Sequence, residues 1–151
     1  MRAPRMRRFQ TLLLNAIIGL CGSLSLPPTC EAHLVVIVSR KSPVTTLTKS
    51  EVADIYLART AQLPGGAEAI PLDQADTGVN RDEFYEIVTG KSSAQLRAYW
   101  SKLIFTGSAQ PPRVFNDVAT LKRFVSDHPN ALGYIDEQEL DPSVKAVLLL
   151  R

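Results

Sequence analysis

The sequence predicts an α/β domain built as a three-layer sandwich, with a sheet between helices. Short apolar runs, HLVVIVS (33–39), ALGYI (131–135) and VKAVLLL (144–150), lack a clean alternation of apolar and polar residues. Strands buried on both faces read this way. Between them stand segments whose apolar residues recur at helical spacing. The two kinds of segment alternate along the chain, which is the pattern of a layered α/β fold.

Before these elements comes a segment of a different kind. Arg2, Arg5, Arg7 and Arg8 precede an apolar run from Leu12 to Leu26, followed by Pro27, Pro28 and Cys30-Glu31-Ala32. A basic start, an apolar middle and a small residue at the cut are the grammar of a secretory signal peptide, so residues 1–32 are expected to be removed after Ala32. The alternative is an uncleaved anchor, but the run is short for a span and Gly, Ser and Asn interrupt it. A lipidated cysteine is disfavoured because Cys21 follows Leu20 and Cys30 follows Thr29.

Removing this segment from 151 residues leaves 119, one domain with room for a core of its own. Both cysteines leave with it, so residues 33–151 would carry no disulfide. Export without cysteines points to a bacterial periplasm. The formal charge of +2 also belongs to the leader: residues 33–151 hold thirteen basic and fourteen acidic side chains. No basic block of nucleic-acid type remains, which excludes that class of partner.

Taken in order, residues 33–39 form the first strand and Arg40–Thr46 a loop containing Pro43. Thr48 and Glu51 make a T-x-x-E capping box for a helix that turns Val52, Ile55, Tyr56 and Leu57 inward. Thr60–Glu68 is loop, with Pro64-Gly65-Gly66 as its turn. Ala69–Leu72 is a second strand and Asp73–Asn80 a polar loop. Two helices follow, broken at Gly90. The first has Phe84, Ile87 and Val88 on its apolar face, and Asp82, Glu83 and Glu86 in its early turns, where the helix dipole favours negative charge. The second has Ser92 as N-cap, with Gln95 completing a capping box. Its stripe is Leu96, Tyr99, Trp100, Leu103 and Ile104, and Gly107 closes it. Pro111 and Pro112 stiffen the next connection. Asn116 or Asp117 caps a helix carrying Val118, Leu121, Phe124 and Val125, which ends at His128-Pro129-Asn130. Residues 131–135 and 144–150 are the last two strands.

Catalytic equipment is sparse. Residues 33–151 contain no Cys nucleophile, G-x-S-x-G, P-loop or H-E-x-x-H, so an enzyme is not expected. His128 reads as a capping residue, and His33 with His128 could hold copper only if the two converge. Glu137, Glu139 and Asp141 could do acid–base work or bind a hard cation, or could be a solvated loop. No metal and no cofactor is expected. The best candidate is Asp73–Arg81, which follows a strand and opens a helix. Ligands of open α/β sheets bind beyond the carboxyl ends of strands, and a helix N-terminus offers free N–H groups to an anion. Thr77 could add a hydroxyl, Gly78 a close backbone approach and Arg81 a charge. The alternative is an ordinary turn, with Asp76 or Thr77 capping and Arg81 solvated.

Several segments together carry a resemblance. V-V-I-V-S-R-K-S-P-V-x-x-L-T-x-x-E-V-A-D-I-Y-L, a G-G turn, I-P-L-D, then F-Y, G-K-S, Y-W-S-K-L-I-F-T-G, P-P and G-Y-I resemble the periplasmic binding-protein-like family, in particular its small relatives labelled as phosphate ABC transporter substrate-binding proteins. The likeness runs from Leu34 to Leu150. It implies a single lobe of a type II periplasmic binding-protein-like fold and reversible binding of phosphate or a similar oxyanion for uptake. The implied partners are the ABC transporter membrane component or another periplasmic protein. The family's phosphate-gripping stretch, an Arg followed by Ser-Gly-Thr, falls on DQADTGVNR. Thr77-Gly78 echoes it, Arg81 is displaced and Asp76 adds a negative charge. The residues expected to bind are Thr77, Gly78, Asn80 and Arg81, with Ser39 and Ser42 at the end of the first strand. One lobe cannot enclose a ligand, so tight binding would need a homodimer or another chain. The other reading is a periplasmic protein-interaction or sensor-associated module that has lost anion binding.

Overall fold

The computed structural model describes residues 33–75 and 79–151. The expected signal segment 1–32 lies outside the described residues, as do Asp76, Thr77 and Gly78. Five strands and four helices follow in the order β1 (Leu34–Ser39), α1 (Lys49–Tyr56), β2 (Ile70–Gln74), α2 (Val79–Thr89), α3 (Ser93–Phe105), β3 (Arg113–Phe115), α4 (Val118–Asp127), β4 (Ala131–Asp136) and β5 (Val144–Leu150). No helix among the described residues is long and apolar enough to cross a membrane.

The sheet order is β3-β2-β4-β1-β5. β2 runs parallel to β3 and β4, while β1 is antiparallel to both β4 and β5. Four strands therefore point one way, and β1 alone points the other. Every residue of β1 is buried because it is flanked by strands and covered on both faces. Leu34, Val36 and Val38 face a core formed with Val52, Tyr56, Phe84, Tyr85, Leu96 and Trp100 from α1, α2 and α3. Val35 and Ile37 face a second core with Leu72, Leu121, Val125 and Ile135 under α4. Two cores on opposite faces of one sheet give the expected three layers. Gly133 lets α4 approach the sheet, since a Cβ there would stand 2.7 Å from Leu121 Cδ2.

Local signals place most elements. The capping boxes Thr48/Glu51 and Ser92/Gln95 form as expected, and Asp117 caps α4 by accepting from Thr120 N–H at 2.8 Å. The short β3 is not foreseen, because three residues give no periodicity and it exists only by pairing with β2. Asp73 and Gln74, expected in loop, are the last residues of β2; the pairing to β3 draws them into the sheet. The stripe of α3 buries at Leu96 and Trp100 and runs out towards its end, leaving Ile104 48% and Phe105 93% exposed.

Candidate functional site

The carboxyl ends of β2 and β4 share one edge of the sheet, and α2 starts there. Asp73 stands at that edge and is 2% exposed. Its Oδ1 accepts from Gln74 N–H at 2.9 Å and from Tyr134 O–H at 2.6 Å. Its Oδ2 accepts from Arg81 Nε–H and from Tyr85 O–H, both at 3.0 Å. A carboxylate has about four acceptor positions, and four donors fill them here. The carboxylate is thereby paired and fully hydrogen-bonded, the condition under which a buried charge is tolerated.

Aromatic packing fixes these donors. Phe84 stacks on Tyr134 with centroids 3.8 Å apart, and Tyr56 meets Phe84 edge-on at 4.7 Å. Tyr56 O–H reaches Leu72 O at 2.9 Å, tying α1 to β2. Burial raises the pKa of Tyr56, Tyr85 and Tyr134 above the ordinary phenol value, and the nearby Asp73 charge adds to it. The phenols of Tyr85 and Tyr134 therefore stay protonated and remain donors to Asp73. Gln74 Nε2 donates to Tyr134 O at 2.7 Å, holding the strand ends together.

Arg81 occupies the first turns of α2 with its side chain 13% exposed. Its guanidinium lies over the Tyr85 ring, 5.1 Å from the centroid, while Nε binds Asp73. It is thus an oriented cation at the mouth of a helix N-terminus, not a solvated one. Asn80 sits beside it in the first turn of α2, half-buried.

The other expected site residues lie elsewhere. Because β1 is antiparallel to β4, its carboxyl end falls at the opposite edge of the sheet. Ser39 is 1% exposed and donates to Ser126 O at 2.9 Å. Ser42 is 4% exposed and accepts from Val44 N–H at 3.4 Å. Neither meets Asn80 or Arg81. Thr77 and Gly78 are outside the described residues. The sequence reading did not foresee Asp73, Gln74, Tyr85 or Tyr134 as a unit. The one legible signal was an acid ending the otherwise apolar I-P-L-D strand.

The remaining candidates resolve into structure. His33 lies at the start of β1, where its carbonyl accepts from Glu137 N–H at 2.8 Å. His128 lies before the start of β4, with its ring stacked on Phe124 and its Nδ1 2.8 Å from Phe124 O. The two histidines stand at opposite ends of the sheet and do not converge. Asp141 pairs with Lys122 Nζ at 2.7 Å, and this bond, followed by those from Ser143, holds its pKa well below the usual carboxylate value. Glu137 and Glu139 belong to a short 3-10 turn capped by Asp136. Among the described residues no three His, Cys, Asp or Glu side chains cluster to hold a metal. An apolar cavity of about 310 Å³, lined by Pro43, Val44, Leu63, Pro64 and Pro129, lies at the edge where β4 starts, away from Asp73.

No protein-family model matches the chain, and no curated protein matches it in sequence. Solved structures do. A Clostridium perfringens protein described as a phosphate ABC transporter substrate-binding protein with bound phosphate matches at TM-score 0.61 and 24% identity, over 77% of this chain and 45% of that one. An ABC-type phosphate transport receptor from Vibrio cholerae matches at TM-score 0.60 and 21% identity, over 77% and 46%. PstS from Borrelia burgdorferi matches at TM-score 0.52 and 16% identity, over 70% and 42%. The chain thus spans less than half the length of these proteins. At such identities the likeness shows the fold, and the fold is the periplasmic binding-protein-like α/β fold that the sequence motifs resemble.

Proposed function

We propose that this chain is an exported, non-enzymatic solute-binding domain that captures phosphate or a similar oxyanion reversibly for ABC-type uptake. The observation that carries this reading is the anchoring of Arg81 at the N-terminus of α2, on the edge where the parallel strands end. Nothing in solvent demands a guanidinium held by a buried Asp73 and a Tyr85 ring, whereas an anion site needs its cation fixed in direction. The first-turn N–H groups of α2 would supply the other donors, with Thr77, Gly78 and Asn80 around them. Ser39 and Ser42 stand at the far end of the sheet, where Ser39 donates to Ser126 O and Ser42 accepts from Val44 N–H, so the proposed site is drawn without them. Asp73 offsets much of the charge of Arg81, and Asp76 adds a second carboxylate by sequence, which suits a protonated oxyanion able to donate to it. The step is binding alone, with no bond made or broken. The fold shared with phosphate-binding proteins supports the ligand class, and a homodimer or a transporter component would close the open side.

Calorimetric titration with phosphate, with sulfate as control, tests it. Micromolar binding is expected, lost in Thr77→Ala and weakened at least tenfold in Arg81→Lys, which keeps the charge but not the fork. No heat and no thermal shift at millimolar phosphate sinks the reading for this chain.

A further inference from the structure

The outward side of α3 is unlike the rest of the domain. Between Ile87 and Asn116 the sequence contains Lys91, Arg97, Lys102 and Arg113 and no Asp or Glu, whereas the remainder of residues 33–151 holds nine basic and fourteen acidic side chains. Lys91 is drawn over the Tyr99 ring and Arg113 over the rings of Phe115 and Phe124. Arg97 and Lys102 are exposed. At 100° per residue they flank the direction of Phe105, at about 80° on one side and about 60° on the other. Ala94, Ala98 and Ser101 fill the same sector and are also exposed. The face therefore offers a protruding aromatic, small residues and two solvent-facing cations, with no carboxylate on the helix, and Ile104 lies outside it, about 100° from Phe105 and beyond Arg97.

We infer that this face rests on an anionic lipid surface, with Phe105 entering the boundary between headgroups and acyl chains. Helices at a membrane interface combine inserted Phe, Trp or Leu with Lys and Arg, and this face pairs a projecting Phe with two cations. The charge is complementary to an anionic bilayer, and each cation held at such a surface raises partition about fivefold. A second copy is disfavoured as the occupant, because two-fold contact would set Arg97 and Lys102 against their own kind. The tip also projects rather than recedes, which suits a soft layer better than a preformed pocket. The inference stands apart from oxyanion binding, which lies at the other helix.

The test uses the full chain carrying Phe105→Trp, with Trp100 as the internal reference. The new indole reports its own position, so any contact made by residues 1–32 is kept separate. It is mixed with phosphatidylcholine vesicles with or without phosphatidylglycerol, with acyl chains brominated as quenchers. Quenching of the added indole on phosphatidylglycerol vesicles is expected, about twentyfold or more weaker on pure phosphatidylcholine. Arg97→Glu with Lys102→Glu should weaken partition by about twentyfold or more. Both substitution sites face solvent, so the fold should be retained, as unchanged far-UV circular dichroism would show. Absence of quenching overturns the inference, as does quenching indifferent to lipid charge or to the double reversal. A spectral shift that grows with protein concentration and needs no lipid assigns the face to a second copy. Binding to polyglutamate without any response to vesicles assigns it to an acidic protein. Either outcome overturns the lipid assignment.

Discussion

Asp73 is the residue on which the carboxyl edge depends. Four donors from β2, α2 and β4 converge on it, and its removal takes an acceptor from each of them. Removing one partner of a buried ion pair costs about 3–5 kcal/mol. Asp73→Ala is therefore expected to destabilise the domain by about that much in urea denaturation. Tyr85→Phe removes one neutral donor and should cost about 1–2 kcal/mol. The two changes share a bond, so the double variant should fall short of their sum by about 1 kcal/mol. Additive losses would show that the network is not coupled. Little of this was legible in the sequence. Asp73 and Tyr134 lie 61 residues apart and meet because β2 and β4 are parallel neighbours.

At the scale of elements, the helix ends show where local sequence suffices and where it does not. α3 ends in a Schellman motif: Gly107 N–H donates to Ile104 O at 3.0 Å and Ser108 N–H to Leu103 O at 2.9 Å, with Gly107 at φ 66. α1 ends in the same motif, with Ala58 N–H to Ile55 O at 3.1 Å and Arg59 N–H to Asp54 O at 2.8 Å. Its left-handed residue is Ala58 at φ 51, where a Cβ is disfavoured. The Gly107 stop was readable; the Ala58 stop was not, since nothing in the sequence marks an alanine as left-handed. Ala58→Gly removes the clash at some cost in unfolded-chain entropy, for a net gain of about 0.5–1 kcal/mol. Thermal unfolding should then rise by about 2–5 °C. An unchanged or lower midpoint would mean that the φ carries no strain.

For the whole molecule, the core beneath α1 and α2 holds three phenols, two of them bonded to one carboxylate. Tyr56, Tyr85 and Tyr134 are buried, with pKa values raised above the ordinary 10, first by burial and then by Asp73. A group whose folded pKa is raised contributes stability that is complete below its unfolded pKa and is lost as pH rises towards the folded one. The domain should keep its stability up to about pH 10 and lose it above, as the unfolded chain releases protons that the folded one retains. Phenolate absorbance from these three residues should rise together with loss of far-UV circular dichroism. Phenolate appearing well before the loss of helix would show that the core admits hydroxide without unfolding. The sheet order explains the breadth of the effect, since these phenols join α1, α2, β2 and β4.

By itself, the sequence determined the α/β class, the three layers, the order of the main elements and most helix caps. These follow from hydrophobic periodicity and from hydrogen bonds between residues three or four apart, which are local. It also placed a candidate anion site where β2 gives way to α2. Only the tertiary structure decided the direction of β1, and with it the separation of Ser39 and Ser42 from Arg81, because strand orientation is set by pairing and leaves no trace in a six-residue apolar run. Tertiary contact alone also created β3 and the pairing of Arg81 with Asp73. Those features depend on groups distant in sequence that a sheet brings within hydrogen-bonding reach.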